Sequence, residues 1–173
     1  MYTIKSVIYL AQSQLSYHEG KTGGHWDNTQ KYSEQLPGLK RSDGQPWCDV
    51  FANWVYWQAG IVVPDGAVSA SCAASVAAYK KAGRFTEYPV VGAQVFYGPG
   101  GGSHTGICIG WDLVHEIAIE GNTNTDGGPE GDGVYTKERE RRSDYVFGYG
   151  IPYYPHDTAL TPDPHWSGKS LAQ

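Results

Sequence analysis

The sequence predicts an α+β fold, in which N-terminal helices pack on an antiparallel β-sheet. Helical spacing of apolar residues is confined to the first half of the chain, whereas short β-type runs separated by glycine-rich turns follow Pro89. Helices followed by closely spaced strands, rather than helices alternating with strands, favour an antiparallel sheet. The 23 glycines among 173 residues favour a loop-rich, strand-containing fold over a helical bundle.

Three helices are expected in the first half of the chain. Apolar residues with the i, i+3, i+4, i+7 spacing of an amphipathic helix predict the first one within residues 3–16; they are Ile4, Val7, Ile8, Ala11 and Leu15. Helical spacing returns at residues 47–55, and a third helix is predicted over residues 71–82. A glycine ends each of these two helices, Gly60 the second and Gly83 the third.

The remaining segments divide into loop, sheet and tail. The polar stretch 19–45 is predicted to be loop or short turns. Strands are predicted at residues 95–97, 105–111, 113–119, 133–136 and 146–151. The stretch 155–173 contains Pro155, Pro162 and Pro164 and has little apolar periodicity. Residues 1–154 are therefore expected to form one domain, and residues 155–173 a linker or tail.

Charge and hydropathy exclude several classes of protein. The net charge is −5, and the one basic run, Lys137 to Arg142, is interleaved with glutamates; this favours a solvated edge and argues against nucleic-acid binding. No apolar stretch is long enough for a membrane span.

The N-terminus lacks the features of a signal peptide, which predicts synthesis and retention in a cytoplasm unless another route exports the protein. Three cysteines at unrelated spacings do not suggest a disulfide framework.

Cys48 is the candidate nucleophile. It lies in the first turn of the predicted second helix, where free backbone N–H groups and the positive end of the helix dipole stabilise a thiolate. The same N–H groups can bind the oxyanion of a tetrahedral intermediate. The alternative is that Cys48 is a small buried hydrophobic residue, which is the commoner role of a free cysteine. Cys72 and Cys108 are predicted to be packing residues of a helix and of the core.

His104 is the candidate base, because a thiol nucleophile needs a base and the base needs an orienting partner. If the hairpin folds about Asp112, His104 lies directly opposite Glu120, and opposed residues share one face of a sheet. Asn122 would share that face by the two-residue period. A β-bulge would turn Glu120 away, and a histidine at the start of a strand is more often a loop residue.

A metal site is left open by the sequence. Zinc is disfavoured because Cys48, His104 and Cys108 are not accompanied by a second paired spacing of ligands. The loop 122–132 contains Asp126, Glu130 and Asp132 among glycines, and these could bind calcium. The loop lacks the spacing of a known calcium loop, so a solvated acidic turn is the prediction.

Several short segments occur in an order that is more specific than any one of them. They are YHEG at 17–20, NTQKY at 28–32, GQPWCDVFANW at 44–54 with QAG at 58–60, SHTGI at 103–107, EGNTN at 120–124 and GDGVY at 131–135. Together they resemble the CHAP family, the cysteine- and histidine-dependent amidohydrolase/peptidase domains of bacteriophage endolysins and bacterial wall hydrolases. The resemblance covers about residues 10–153.

The resemblance implies a papain-like fold and hydrolysis of an amide bond in bacterial peptidoglycan. It also implies that Cys48 attacks, that His104 transfers the proton, and that Glu120 and Asn122 hold the ring. No cofactor is then required, although calcium is possible, and we expect a monomer that is made in a host cytoplasm and acts on the cell wall. The chain departs from the family at Asp49, where a small residue is usual, and at residues 92–94, GAQ, where many members have Gly-Asp.

Three alternatives remain. One is another thiol hydrolase of similar architecture, of the NlpC/P60 or transglutaminase type, with a second histidine or an aspartate as the third residue. Another is an inactive wall-binding or virion structural module with the same fold. The last is an amidase that acts on small molecules inside the cell.

Overall fold

The computed structural model describes residues 2–128 and 131–155. Within these ranges the chain has an α+β fold of four helices and eight strands, as predicted. The helices are α1 Ile4–Gln12, α2 Lys31–Gln35, α3 Cys48–Gln58 and α4 Cys72–Lys81. The strands are β1 Lys21–Thr22, β2 His25–Trp26, β3 Phe85–Thr86, β4 Gln94–Tyr97, β5 His104–Trp111, β6 His115–Thr123, β7 Gly133–Glu140 and β8 Val146–Gly150.

Six of the strands form one sheet in the order β3-β8-β4-β5-β6-β7, and every neighbouring pair is antiparallel. Strands β1 and β2 form a separate short hairpin. The strands β5, β6 and β7 follow one another in both sequence and space, so two consecutive hairpins bring residues of all three onto one surface.

Helix α3 packs on the sheet against β5 and β6. It is apolar around most of its circumference, and nine of its eleven residues are buried, which is typical of a central helix. Gly121 in β6 allows the close approach, because a Cβ atom there would lie 2.6 Å from Cβ of Phe51 and 2.7 Å from a ring carbon of Trp47. The first turn of α3 is thereby held against β6.

The helix ends agree with the sequence for α3 and α4, where Gly60 and Gly83 have positive φ angles of 67° and 65°. Helix α1 is shorter than predicted. It ends at Gln12, and the chain takes a left-handed turn at Ser16, which leaves Leu15 39% exposed. The apolar spacing therefore extends beyond the helix itself.

Helix α2 lies in a stretch that was predicted to be loop or short turns, and that prediction was wrong at residues 31–35. The Gln30 side chain caps the helix by accepting hydrogen bonds from the backbone N–H groups of Tyr32 and Ser33. Tyr32 is fully buried against Trp47 and Trp54. Five residues are too few to establish a helical period, which is why the sequence pattern did not reveal this helix.

Strand β7 extends to Glu140, whereas the prediction ended it at residue 136. Its side chains alternate between exposed positions at 136, 138 and 140 and half-buried positions at 137 and 139. The basic run was predicted to be a solvated edge, and this is wrong for Arg139 and Arg141. Arg141 is 1% exposed and donates a hydrogen bond to the carbonyl oxygen of Asp112.

The proposed tail lies almost entirely outside the described residues, which end at Pro155. Among the described residues, none of the helices combines the length and the apolar character that crossing a membrane requires.

Candidate active site

Cys48 is the first residue of helix α3, and only 6% of it is exposed. The residue before it, Trp47, has non-helical backbone angles and caps the helix without a side-chain hydrogen bond. The Trp47 indole instead donates to the Glu19 carboxylate at 2.6 Å, and Glu19 also accepts from the backbone N–H of Asn28 at 2.9 Å. These contacts tie the polar N-terminal loop to the start of α3, beside the sulfur.

His104 begins strand β5 and is hydrogen-bonded to Glu120 of β6. The distance from Nε2 of His104 to Oε2 of Glu120 is 3.0 Å, and neither side chain is exposed. Nδ1 of His104 has no hydrogen-bond partner among the described residues. It is therefore the ring nitrogen left to exchange a proton with Cys48, which neighbours the imidazole closely enough to shift its pKa.

The register of this hairpin differs from the prediction by two residues. Ile107 lies opposite Ile119, so the register places Glu120 opposite Gly106 and not opposite His104. An even shift keeps Glu120 on the same face, and the carboxylate reaches the imidazole diagonally. Gly106 makes room for it, since a Cβ atom at that position would lie 2.7 Å from Cγ of Glu120. A register irregularity does occur in this hairpin, but near Gly110, beyond the site.

Arg139 of β7 is a site residue that the sequence analysis missed. Its Nε donates to Oε1 of Glu120 at 2.8 Å, and its Nη2 donates to Oε2 at 2.6 Å. The guanidinium also lies over the rings of Tyr97 and Tyr145, at 4.7 and 5.2 Å from their centroids. Tyr97 in turn stacks on the His104 imidazole with centroids 5.9 Å apart. Arg139 lies opposite Glu116, four residues from Glu120 on the same face, so only its long side chain brings the guanidinium to that carboxylate. The contact could be found only by knowing that β7 pairs with β6 in this register.

These contacts favour the charged forms of Cys48, His104 and Glu120. The hydrogen bond between Cys48 and Cys72 lowers the pKa of Cys48 against the opposing effect of burial, and His104 lowers it further. Burial alone would lower the pKa of His104, but Cys48 and Glu120 outweigh it and raise that pKa to about 9. Burial raises the pKa of Glu120, yet His104 and Arg139 bring it below its ordinary value. Together the contacts favour a thiolate on Cys48, an imidazolium on His104 and a carboxylate on Glu120.

Cys72 has a different position from the one predicted, which was helix packing alone. It is the first residue of helix α4, and its Sγ lies 3.6 Å from Sγ of Cys48. No pattern in the sequence indicates this contact, because the two cysteines are separated by 24 positions, which include the rest of α3 and the loop that follows it. Cys108, in contrast, is fully buried in the core as predicted.

Asn122 is the one predicted site residue that does not join this network. Its side chain is fully buried, but neither of its amide atoms makes a hydrogen bond to a described residue, and it therefore does not bind the His104 ring. Asn122 has a left-handed φ of 56°, and the pairing of β6 with β7 is irregular between Glu120 and Thr123. The two-residue period from which its orientation was predicted is interrupted at this point.

The two positions at which the chain departs from the CHAP pattern contact each other. Nε2 of Gln94 donates to Oδ1 of Asp49 at 2.8 Å, and the other carboxylate oxygen accepts from the hydroxyls of Ser69 and Ser75, both at 2.8 Å. Burial raises the pKa of Asp49 to about 7. Because Ser75 belongs to α4, the Asp49 side chain joins the first turns of α3 and α4.

Among the described residues, no group of three or more histidine, cysteine or acidic side chains is arranged to hold a metal ion. In the acidic loop, Asp132 is engaged with His18 at 2.8 Å and with the Tyr135 hydroxyl. Glu130, another of the three carboxylates considered for calcium, lies outside the described residues.

Comparisons of the chain with protein-family models, with curated proteins and with solved structures gave no match. The geometry of this site and the ordered sequence motifs are therefore the observations that bear on function.

Proposed function

We propose that the protein is a cysteine-dependent peptidoglycan hydrolase with a papain-like CHAP fold, in which Cys48 is the nucleophile and His104 the base. The observation that carries the proposal is the convergence of three groups. A cysteine at a helix N-terminus lies close enough to a buried histidine for each to shift the pKa of the other, and that histidine is held by a buried glutamate at 3.0 Å. A nucleophile, a base and an orienting group in this order constitute the arrangement used in covalent amide hydrolysis.

The chemistry follows from the charges of the site. The Cys48 thiolate attacks the carbonyl carbon of the amide, and the negative charge on the carbonyl oxygen is stabilised by backbone N–H groups at the start of α3. The His104 imidazolium gives its proton to the leaving amine, which departs and leaves a thioester on Cys48. Neutral His104 then removes a proton from water, whose oxygen attacks the thioester and releases the acid. Glu120 holds the imidazole in one orientation throughout.

Peptidoglycan is proposed as the substrate because the motifs occur in the order of the CHAP family over about residues 10–153. The site adds support against one alternative, since the third residue is a glutamate and not the second histidine or aspartate of the NlpC/P60 and transglutaminase types. The scissile bond is an amide, either between muramic acid and L-alanine or within the stem peptide or cross-bridge.

The test is lysis of purified bacterial cell walls by the wild type and by two matched cysteine variants. Cys48→Ala should reduce the rate to background with an unchanged thermal melt, because it removes the sulfur on which the acyl intermediate forms. Cys108→Ala removes a thiol that is buried in the core and should retain the activity. Lysis by Cys48→Ala at the wild-type rate would end the proposal.

The same preparations separate the remaining alternatives. Mass spectrometry of the released fragments identifies the bond that is cut. Binding to walls without the release of new amino groups would indicate an inactive wall-binding module. Hydrolysis of small soluble amides but not of walls would indicate an intracellular amidase.

A further inference from the structure

The first residues of two helices meet beside the proposed nucleophile. Cys48 begins α3 and Cys72 begins α4, and their sulfurs are 3.6 Å apart, within the range of a hydrogen bond between a thiol and a second sulfur. Each residue is only 6% exposed, so water does not compete strongly for the contact. We propose that Cys72 is a positioning residue for Cys48, whose S–H donates a hydrogen bond to the Cys48 sulfur and stabilises it as a thiolate.

The direction of this hydrogen bond follows from the surroundings of the two sulfurs. Cys48 has the His104 imidazolium beside it, and the backbone N–H of Asp49 also acts on its sulfur. Cys72 is buried next to the negative charges of Cys48 and Asp49, which disfavour its own ionisation. The proton of the pair therefore remains on Cys72, and a neutral thiol beside an anion can act only as the donor.

Helix α4 holds Cys72 in place. The Ser71 hydroxyl caps the helix by accepting from the backbone N–H of Ala74, and the Ser75 hydroxyl is bound to the Asp49 carboxylate at 2.8 Å. Asp49 directly follows Cys48, so the same carboxylate fixes the spacing between the two helix starts. Residues that begin two rigid elements need little reorganisation to keep a hydrogen bond between their side chains.

Other titratable groups also act on Cys48, and a test has to separate their effects. They are His104 from β5, Asp49 from α3 and Tyr145 from the segment before β8. Glu120 acts on Cys48 through His104. All four are unchanged when only residue 72 is substituted, so a difference between variants at one position isolates the contribution of the Cys72 thiol.

The experiment is alkylation with iodoacetamide from pH 4 to 10, read for Cys48 by peptide mass spectrometry. Cys72→Ala removes the donor, whereas Cys72→Ser replaces it with a hydroxyl, and Cys108→Ala is a control for the loss of a remote thiol. The pH at which half of Cys48 is reactive should rise by about one unit in Cys72→Ala, a loss of about tenfold in the thiolate fraction below that pH. Cys72→Ser should restore most of the difference, with a midpoint within about 0.5 units of the wild type.

Two results would overturn the inference. One is a midpoint in Cys72→Ala equal to that of Cys108→Ala, which would mean that the second sulfur does not stabilise the thiolate. The other is an equal shift in the alanine and serine variants, which would mean that Cys72 acts only by filling space. The inference uses the proposed nucleophile Cys48, but the measurement needs no cell wall. A protein that fails to lyse walls and still shows the alanine-specific shift would refute the proposed function and leave this inference standing.

Discussion

Replacing Arg139 with glutamine tests whether the buried ion pair behind His104 is a structural requirement. The substitution removes both hydrogen bonds from the guanidinium to Glu120, at 2.8 and 2.6 Å, and leaves that carboxylate with His104 alone. The Glu120 side chain is 0% exposed, so water cannot replace the lost donors without a change in structure. We expect the free energy of unfolding to fall markedly.

The contacts of Arg139 set the size of the expected loss in the free energy of unfolding. Two hydrogen bonds to a charged group contribute about 3–6 kcal/mol together. Two costs offset part of this stabilisation. The arginine side chain loses about 2 kcal/mol of rotamer entropy when it is ordered, and it is largely removed from water, since only 14% of it is exposed. Breaking a buried pair by removing one partner costs about 3–5 kcal/mol. We therefore expect a loss of about 3 kcal/mol, which lowers Tm by about 6–12 °C in a chain of this size.

The loss should depend on pH in a defined direction. The folded-state pKa of Glu120 lies below its ordinary value of 4.5, so the stability from its ionised form is present above pH 4.5. That stability is lost as the pH falls through the folded-state pKa. The difference in the free energy of unfolding between wild type and Arg139→Gln should thus be largest at neutral pH and should become smaller at acid pH.

Urea unfolding at pH 7 and pH 3.5 measures both effects, with Arg142→Gln as the matched control. Arg142 belongs to the same basic run but is exposed, and its substitution should change the free energy of unfolding by less than about 0.5 kcal/mol. If the Arg139 variant were as stable as the Arg142 variant at pH 7, the ion pair would contribute nothing, and the argument that Glu120 is held ionised by Arg139 would fail.

Two further predictions concern the histidine and the packing of α3. Because Cys48 and Glu120 together raise the pKa of His104 to about 9, NMR of labelled histidine should show an imidazolium that persists well above pH 6.5. Cys48→Ala should lower that pKa, and equal titration of the two proteins would contradict the proximity of sulfur and ring. Gly121→Ala should lower the free energy of unfolding by about 1–3 kcal/mol through overpacking against Phe51. Gly110→Ala, where the nearest atom would be 3.9 Å from the new Cβ, should cost less in the same thermal or urea assay.

The sequence predicted those parts of the fold that depend on local patterns. The α+β class, the start of α3 at residues 47–48 and the glycines at the ends of two helices follow from periodicity and from the conformational freedom of Gly60 and Gly83. Helix α2 could not be predicted in this way, because its stability comes from the burial of Tyr32 among aromatic rings that are distant in sequence. Tertiary contacts, and not local propensity, form such short elements.

The residues of the candidate site show the same contrast between local patterns, which are predictable, and tertiary contacts, which are not. The pairing of His104 with Glu120 was predictable because both lie in one hairpin and an even error in register does not change the face. Asn122 was oriented by a strand period that its left-handed φ interrupts. Arg139 required knowledge of which strand pairs with β6, and Cys72 required the packing of two helices. The spacing of residues along the sequence predicts neither of these two contacts.

Asp49, which departs from the CHAP pattern in the sequence, has a structural explanation in its buried contacts. An aspartate immediately after a nucleophilic cysteine places a potential negative charge where it opposes thiolate formation. In this protein that carboxylate is buried, accepts hydrogen bonds from Gln94, Ser69 and Ser75, and has a pKa raised to about 7. Burial thus reduces the repulsion between the Asp49 carboxylate and a thiolate at Cys48. The hydrogen bonds of Asp49 also hold α4 against the start of α3, and this places the Cys72 thiol beside Cys48. A glycine or alanine at position 49 would remove the repulsion, but it would also remove the side chain that fixes the distance between the two sulfurs.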